Sequence, residues 1–363
     1  MAGTWRYVCF AEPSGAYLGE VQLAGVRLTE VLSGPDRLTG TVVGDAPAWL
    51  RPWECSVYAE NPAGQVAVGG LLTAAGGVTG QRVAVDVMGR AGYPGEMPWL
   101  GDTQALVQVD PLAVVRMIWA HLQSQPNGNL RVQVDSTTSP VRVGTDAEQV
   151  EFTTETGESV SFEAGPFRLE WWSTTDLGST IDKLATETPF DYAEDTSWNA
   201  DRTALVHRLR LGYPALGARR TDLRLVVGEN VILTPDLTGG DDLYATEVHA
   251  LGAGTGRTRV RAQLTRAAAG VRRVLVYTDT SARTRDDLST VARADLAWRD
   301  GSPLLDQITV IDHPNTPIAA LAAGDEVFVA GQVGDYAIDR WVRITSIETS
   351  PGSDRAVLDL VEV

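Results

Sequence analysis

The first hundred residues alternate between apolar and polar positions with the period of a β-strand. Val21, Leu23, Val26 and Leu28 are interleaved with Gln22, Arg27 and Thr29. A Ser33-Gly34-Pro35-Asp36 turn, with φ preset by Pro35, separates that run from Leu38–Val43. Glu54–Glu60 is a further β-rich run, closed by Asn61-Pro62-Ala63-Gly64, and Gln65–Leu72 resumes it. Gly76-Gly77 reads as a hairpin, and Gln81–Val87 then alternates strictly. Short strands at this spacing predict an antiparallel barrel or sandwich over residues 1–97.

The period changes after Gly92-Tyr93-Pro94-Gly95. Asp110-Pro111 is an N-cap followed by a first-turn proline, and Leu112, Val115, Ile118, Trp119 and Leu122 recur at helical spacing up to Pro126-Asn127-Gly128. Strands at Leu130–Val134 and Val160–Phe162 flank a polar stretch. A second helix starts at Thr175 or Asp176 and ends before Pro189, and Phe190–Glu194 alternates as a strand. Residues 98–200 therefore read as an α+β middle region. Residues 201–363 return to strands at Leu205–Leu211, Leu223–Val227, Ala245–Leu251, Arg257–Gln263, Asp306–Ile311, Glu326–Val329, Trp341–Ile347 and Ala356–Val361. A helical insert near 286–298 interrupts them. The class is mainly β with an α+β middle, and no internal repeat is visible.

Apolar residues make up 44% of the 363 and charged residues 21%, enough for a packed core. The net charge of −17 argues against a duplex-DNA binder, whose affinity comes from neutralising phosphates, and against a polybasic membrane-surface protein. The start Met1-Ala2-Gly3-Thr4-Trp5-Arg6 lacks signal-peptide character, and the apolar helix Leu112–Leu122 is broken by Arg116 and too short to span a bilayer. These features predict a soluble chain made in the cytoplasm, with no membrane anchor. Cys9 and Cys55 each lie in an apolar run and read as buried thiols.

Candidate chemistry is sparse. His121, His207, His249 and His313 are not at metal-ligand spacing; His121 ends a helix, where the dipole favours a positive group. Gly252-Ala253-Gly254-Thr255-Gly256 is followed by alternating residues, so it reads as a hairpin turn instead of a phosphate loop. The clusters Glu187/Asp191/Glu194/Asp195, Asp236/Asp241/Asp242 and Asp286/Asp287 read as solvated acidic faces. The ten tryptophans, including Trp171-Trp172, Trp49/Trp53, Trp5, Trp99 and Trp298, are scattered, as in core and interface packing. The expectation is no catalytic residue, no cofactor and no metal.

Several stretches, in order, resemble minor tail proteins of actinobacterial siphophages, of the tail-tip or baseplate hub class. The first is the run from Leu18 to Thr41. The second is Thr175-Asp176-Leu177-Gly178 through Thr188-Pro189-Phe190-Asp191-Tyr192. The third is Leu211-Gly212-Tyr213-Pro214 with Arg219-Arg220-Thr221-Asp222-Leu223 and Gly228-Glu229-Asn230-Val231. The last is Asp312-His313-Pro314, Gly324-Asp325-Glu326-Val327 and Trp341-Val342-Arg343-Ile344. The polar stretch Asp135–Gln149 matches none of this. The resemblance implies two tail-tube-like antiparallel β-barrels plus smaller mixed domains. It implies a structural homotrimer, not an enzyme, at the virion tail tip, assembled in the host cytoplasm. Three copies would present six barrels and mate a threefold hub with a sixfold tube. The implied partners are a distal tail protein, a tape measure protein, other minor tail or tip proteins, and viral DNA that passes without specific binding. Any acidic clusters lining the conduit would favour such passage. With the chain stopping at Val363, a host-binding or lytic module is expected on another protein. The alternatives are a hexameric distal tail protein, a tail-associated wall-degrading enzyme and a glycan-binding module.

Overall fold

The computed structural model describes residues 4–78, 82–146, 148–232, 236–238, 244–267, 270–279, 282–299, 304–333 and 336–363. Seven strands come first: β1 (Arg6–Ala11), β2 (Tyr17–Val21), β3 (Leu23–Val31), β4 (Arg37–Val42), β5 (Cys55–Glu60), β6 (Val66–Val78) and β7 (Arg82–Met88). They pair antiparallel in the order β3-β4-β7-β6-β5-β1-β2. The two ends of this path, β2 and β3, are joined through Gln22 alone, so the sheet rolls into a barrel around one core. Cys9, Val21, Leu28, Leu38, Val57 and Val87 are among the side chains that fill it. Burying each contributes about 1.5–3 kcal/mol, and a one-residue slip would turn a whole strand's apolar set to solvent. Cys9 and Cys55 are buried free thiols, and burial pushes both pKa values up.

The Ser33–Asp36 turn joins β3 to β4 as expected, with the Val31 N–H donating to Asp36 Oδ1 at 2.9 Å. The Gly76-Gly77 hairpin is corrected: both glycines lie inside β6, opposite Ala84 and Val83. The ladder runs straight through them, and the reversal between Val78 and Arg82 falls outside the described residues.

Next in the chain come β8 (Gln104–Leu106), α1 (Pro111–Ser124) and β9 (Val132–Val134). Asp110 caps α1 by accepting the Leu112 N–H at 3.0 Å, and Leu112, Val115, Ile118, Trp119 and Leu122 are its buried stripe. After β10 (Glu148–Thr153), β11 (Ser159–Ala164) and β12 (Phe167–Leu169) comes α2 (Leu177–Glu187), capped by Asp176. β13 (Asp191–Trp198) and β14 (Leu205–Gly212) follow. β14 lies antiparallel to β13 and parallel to β9. Leu205–Leu211, expected to open the second strand-rich region, is thus the central strand of the middle sheet, because its inward positions match β13 along their full length.

The remaining elements are β15 (Arg219–Val226), β16 (Asp236–Thr238), β17 (Glu247–Leu251), β18 (Arg261–Thr265), β19 (Val274–Thr278), α3 (Arg285–Trp298), β20 (Leu304–Ile311), β21 (Glu326–Val333), β22 (Tyr336–Thr349) and β23 (Arg355–Glu362). Here a second ring closes. β15 lies parallel to β21, and β21, β22, β23 and β20 continue antiparallel. The segment after β15 turns at Gly228 (φ 85°) and returns along β20. The Ile232 N–H donates to Thr309 O at 3.1 Å and the Ile311 N–H to Asn230 O at 2.9 Å. The far half of β22 also pairs with β3, Ser346 opposite Val31 through Thr349 opposite Leu28. The second barrel is therefore hydrogen-bonded to the first, through β22 and β3.

The chain divides into two compact units. Residues 1–143, 168–235 and 306–363 form the first, with both barrels and the middle sheet. Residues 144–167 and 236–305 form the second, in which α3 packs on the sheet β18-β17-β19 through Val248, Ala262, Leu288 and Ala292. The helix expected near 286–298 thus sits within a longer inserted stretch. Asp286 and Asp287 occupy its first turn, and Asp287 completes a capping box with Thr284. The strand expected from Arg257 begins at Arg261; the turn before it is held by Glu158, which accepts the Thr255 N–H at 2.8 Å and hydroxyl at 2.6 Å.

Candidate functional site

Among the described residues, the histidines and acids flagged for chemistry do not converge on a metal-binding cluster. Among the described residues no group of three or more His, Cys, Asp or Glu is arranged to hold a metal ion. His121 stacks on Trp99 at 4.1 Å between ring centres, and its Nε2 accepts the Leu100 N–H at 3.1 Å. Burial lowers its pKa, so the positive charge that the helix end favours does not settle there. His313 Nδ1 accepts the Asn315 N–H at 3.2 Å, and His249 lies in β17. Asp241 and Asp242 fall outside the described residues. Gly252–Gly256 opens the connection between the antiparallel strands β17 and β18, a hairpin as expected.

What the first unit does concentrate is a buried polar joint where the first barrel meets the middle sheet. Arg90, 3% exposed, sits in a single helical turn after β7. Its guanidinium donates to Tyr58 Oη at 2.9 Å, to Leu130 O at 3.2 Å and to Glu12 Oε1 at 2.5 Å. Glu12 also accepts the Ser56 hydroxyl at 2.7 Å. His207, from β14, stacks on Tyr58 at 5.5 Å. Burial first, and then the neighbouring cations Arg90 and Arg131, push its pKa down to about 2. It is a neutral packing group.

Two carboxylates of β13 complete the joint. Glu194 accepts three backbone N–H groups: Arg90 at 2.7 Å, Ala91 at 3.0 Å and Asp36 at 3.2 Å. Burial outweighs those bonds and pushes its pKa up to about 7. Asp36 is raised too, by burial and by the Glu194 charge. Asp191 accepts from the Ser33 hydroxyl at 3.4 Å, from the Leu216 N–H at 2.8 Å and from Arg343 of β22. The hairpin of barrel one, the start of β13 and strand β22 of the second barrel thus meet at one carboxylate. The solvated face expected for Glu187/Asp191/Glu194/Asp195 is corrected for Asp191 and Glu194. The sequence displays carboxylates but not the free backbone N–H groups that draw them in.

The second barrel has its own clasp. Asn230 Oδ1 accepts the Val226 N–H at 2.7 Å, and its amide donates to Arg224 O at 2.8 Å and to Thr316 Oγ1 at 3.2 Å. Asp325 accepts the Ala218 N–H at 3.0 Å and pairs with Arg220 at 3.0 Å. Asp191, Asn230, Asp325 and Arg343 all lie in motifs quoted for the resemblance, so those motifs mark joints. Glu12, Tyr58 and Arg90 were not flagged by the sequence. Their available signal was a lone charge between glycines (Gly89-Arg90-Ala91-Gly92) at the end of an apolar alternation. Of the tryptophans, Trp99 and Trp119 are buried, while Trp53, Trp171 and Trp172 are exposed. No helix among the described residues is long and apolar enough to cross a membrane.

No model of a known protein family matches the chain, and no curated protein does. Solved structures are similar over nearly its whole length. A 43 kDa tail protein of prophage MuSo2 from Shewanella oneidensis is 14% identical with a TM-score of 0.60, over 98% of both chains. A tail protein from Neisseria meningitidis MC58 is 13% identical with a TM-score of 0.55, over 99% of this chain and 97% of that one. The prophage tail protein gp18 from Listeria monocytogenes EGD-e is 12% identical with a TM-score of 0.53, over 98% and 94%. The chain therefore has, end to end, a mainly β fold found in phage tail proteins.

Proposed function

We propose that this chain is a structural component of a bacteriophage tail, and specifically the tail-tip hub. The observation that carries the reading is the joining of two closed barrels by the pairing of β22 with β3. A copy built this way offers two barrels in fixed relation, so three copies offer six, and a trimer can sit under a sixfold tube. The fold likeness to prophage tail proteins supports the tail assignment, and the ordered motifs support an actinobacterial siphophage source. The investment of charged residues in joints, not in a cleft, favours assembly over catalysis. In the virion the chain would meet a distal tail protein, a tape measure protein and other tip components. The net −17 of each copy suits a conduit that lets DNA slide, since tight backbone binding needs Lys or Arg to displace counterions. Native mass spectrometry of the purified chain tests the symmetry. Three copies are expected; six would move it to a distal tail protein. A zymogram on host cell wall is expected to stay blank.

A further inference from the structure

Each barrel carries a surface feature that its own chain leaves unsatisfied. On the first it is a projection. Trp53 stands in the loop between β4 and β5, 54% exposed, with its backbone in the left-handed region (φ 64°). That region strains a bulky residue, whereas a glycine takes it freely. The loop is nonetheless firmly held. The Trp53 N–H donates to Leu72 O at 2.8 Å and the Glu54 N–H to Arg51 O at 3.2 Å, while Trp49 and Leu50 pack into the barrel core. A strained backbone on a braced loop thus keeps an indole out in solvent. Asp45 of the same loop is exposed and has no ion-pair partner among the described residues. On the second barrel the feature is a hollow of about 800 Å³. Leu223, Val226, Pro314 and Pro317 give it an apolar lining, and Arg224 and Glu229 line it too. The Arg224 side chain is exposed and has no ion pair among the described residues. Glu229 is about half exposed and accepts only a long bond from the Asn315 amide, 3.4 Å. Trp53 is not among the residues lining the hollow, so the two do not meet within one chain.

We propose that Trp53 of one copy seats in the hollow of a second copy, so that the first barrel of each chain is anchored to the second barrel of the next. The chemistry of the two faces matches. The prolines and aliphatic side chains receive the indole, the Arg224 guanidinium offers a cation to its face, and the Glu229 carboxylate an acceptor to its N–H. The unpaired charges, Asp45 beside the projection and Arg224 in the hollow, are opposite in sign. Tryptophan and arginine are also the side chains that most often dominate the energy of an interface. Projection and hollow are different surfaces, so the contact is head-to-tail, and such contacts build rings. This inference deepens the hub reading, on which it rests, by naming the contact between copies.

Native mass spectrometry of the full chain over a concentration series reads the association. Trp53→Gly is expected to weaken it at least about tenfold, while the dissociated chain melts no lower than the native one, because glycine relieves the strained backbone. Arg224→Glu is expected to weaken association too, and Asp45→Arg in the same chain to restore it. Mixing the Trp53→Gly chain, whose hollow is intact, with the Arg224→Glu chain, whose tryptophan is intact, is expected to give one-to-one pairs and no ring. A native chain that stays monomeric, variants that associate like the native chain, a loss of association that only follows a loss of folding, or a mixture that forms no pairs would each overturn the proposal. Three copies with insensitive variants would remove this contact and leave the hub reading standing; six copies with sensitive variants would do the reverse.

Discussion

In the first barrel the two ends of the rolled sheet meet because the chain runs from β2 into β3 through Gln22, and a continuous apolar core does the rest. In the second barrel the last gap is closed by a three-residue segment, Asn230–Ile232, and a side-chain amide holds that segment in place. One ring is closed covalently and packed; the other is closed by hydrogen bonds. The difference teaches where each is vulnerable. The first should fail through its core, and the second through its clasp.

The largest effect is expected from Leu38→Asp. Leu38 is fully buried in the first core, and an unpaired carboxylate there costs several kcal/mol, about the whole margin of a domain. Circular dichroism should then lack a cooperative melt for the first unit. Val31, only half-buried, should tolerate Asp better. Arg90→Met comes next. It leaves buried Glu12 with only the longer contact to Arg131 at 3.8 Å, at a cost of about 3 kcal/mol, and Glu12→Gln in the same chain should restore part of the loss. Urea melts of the single and double variants check this. Asn230→Ala should cost about 1–3 kcal/mol, because the Val226 N–H loses its acceptor and the Arg224 carbonyl keeps only the Thr316 hydroxyl. Hydrogen exchange should speed up at Val226 and Ile311 while the β1–β5 ladder stays protected. Equal loosening of both barrels would erase the comparison.

The joint should respond to pH through Glu194. Its pKa is about 7 when folded, above the ordinary value of 4.5, so the folded state holds a proton that the unfolded state releases. The stability this contributes is complete below the ordinary carboxylate range and is lost as pH rises towards 7. The melting-temperature difference between the native chain and Glu194→Gln should therefore change across that window and level off above it. The smallest effect is expected from Arg37→Ala, which removes a cross-strand pair with Asp86 that is largely exposed; the change should stay below about 1 kcal/mol.

The strands and helices were mostly legible because they are local. Period-two alternation located β3 to β7, and the Asp110-Pro111 and Asp176 caps placed α1 and α2. Which strand pairs with which was not legible. Nothing in Leu205–Gly212 says that its neighbours are β13 and β9, since alternation fixes the face a residue occupies and not its partner. The joint was legible only in part. Asp191 and Glu194 were visible as acids, but Glu194 is drawn in by the N–H groups of Asp36, Arg90 and Ala91, more than a hundred residues away along the chain, and Asp191 by Ser33, Leu216 and Arg343. The clasp residue Asn230 stood inside a motif whose meaning appears only once β20 is seen alongside it.

The central claim is that three double-barrel copies form the hub at the tail tip. Electron cryomicroscopy of the intact virion, with this chain located in the density, tests it most directly. The account predicts three copies around the tail axis below the tube, with all six barrels facing the last tube ring. Six copies in one ring, or a tip that contains no copy of this chain, would contradict it.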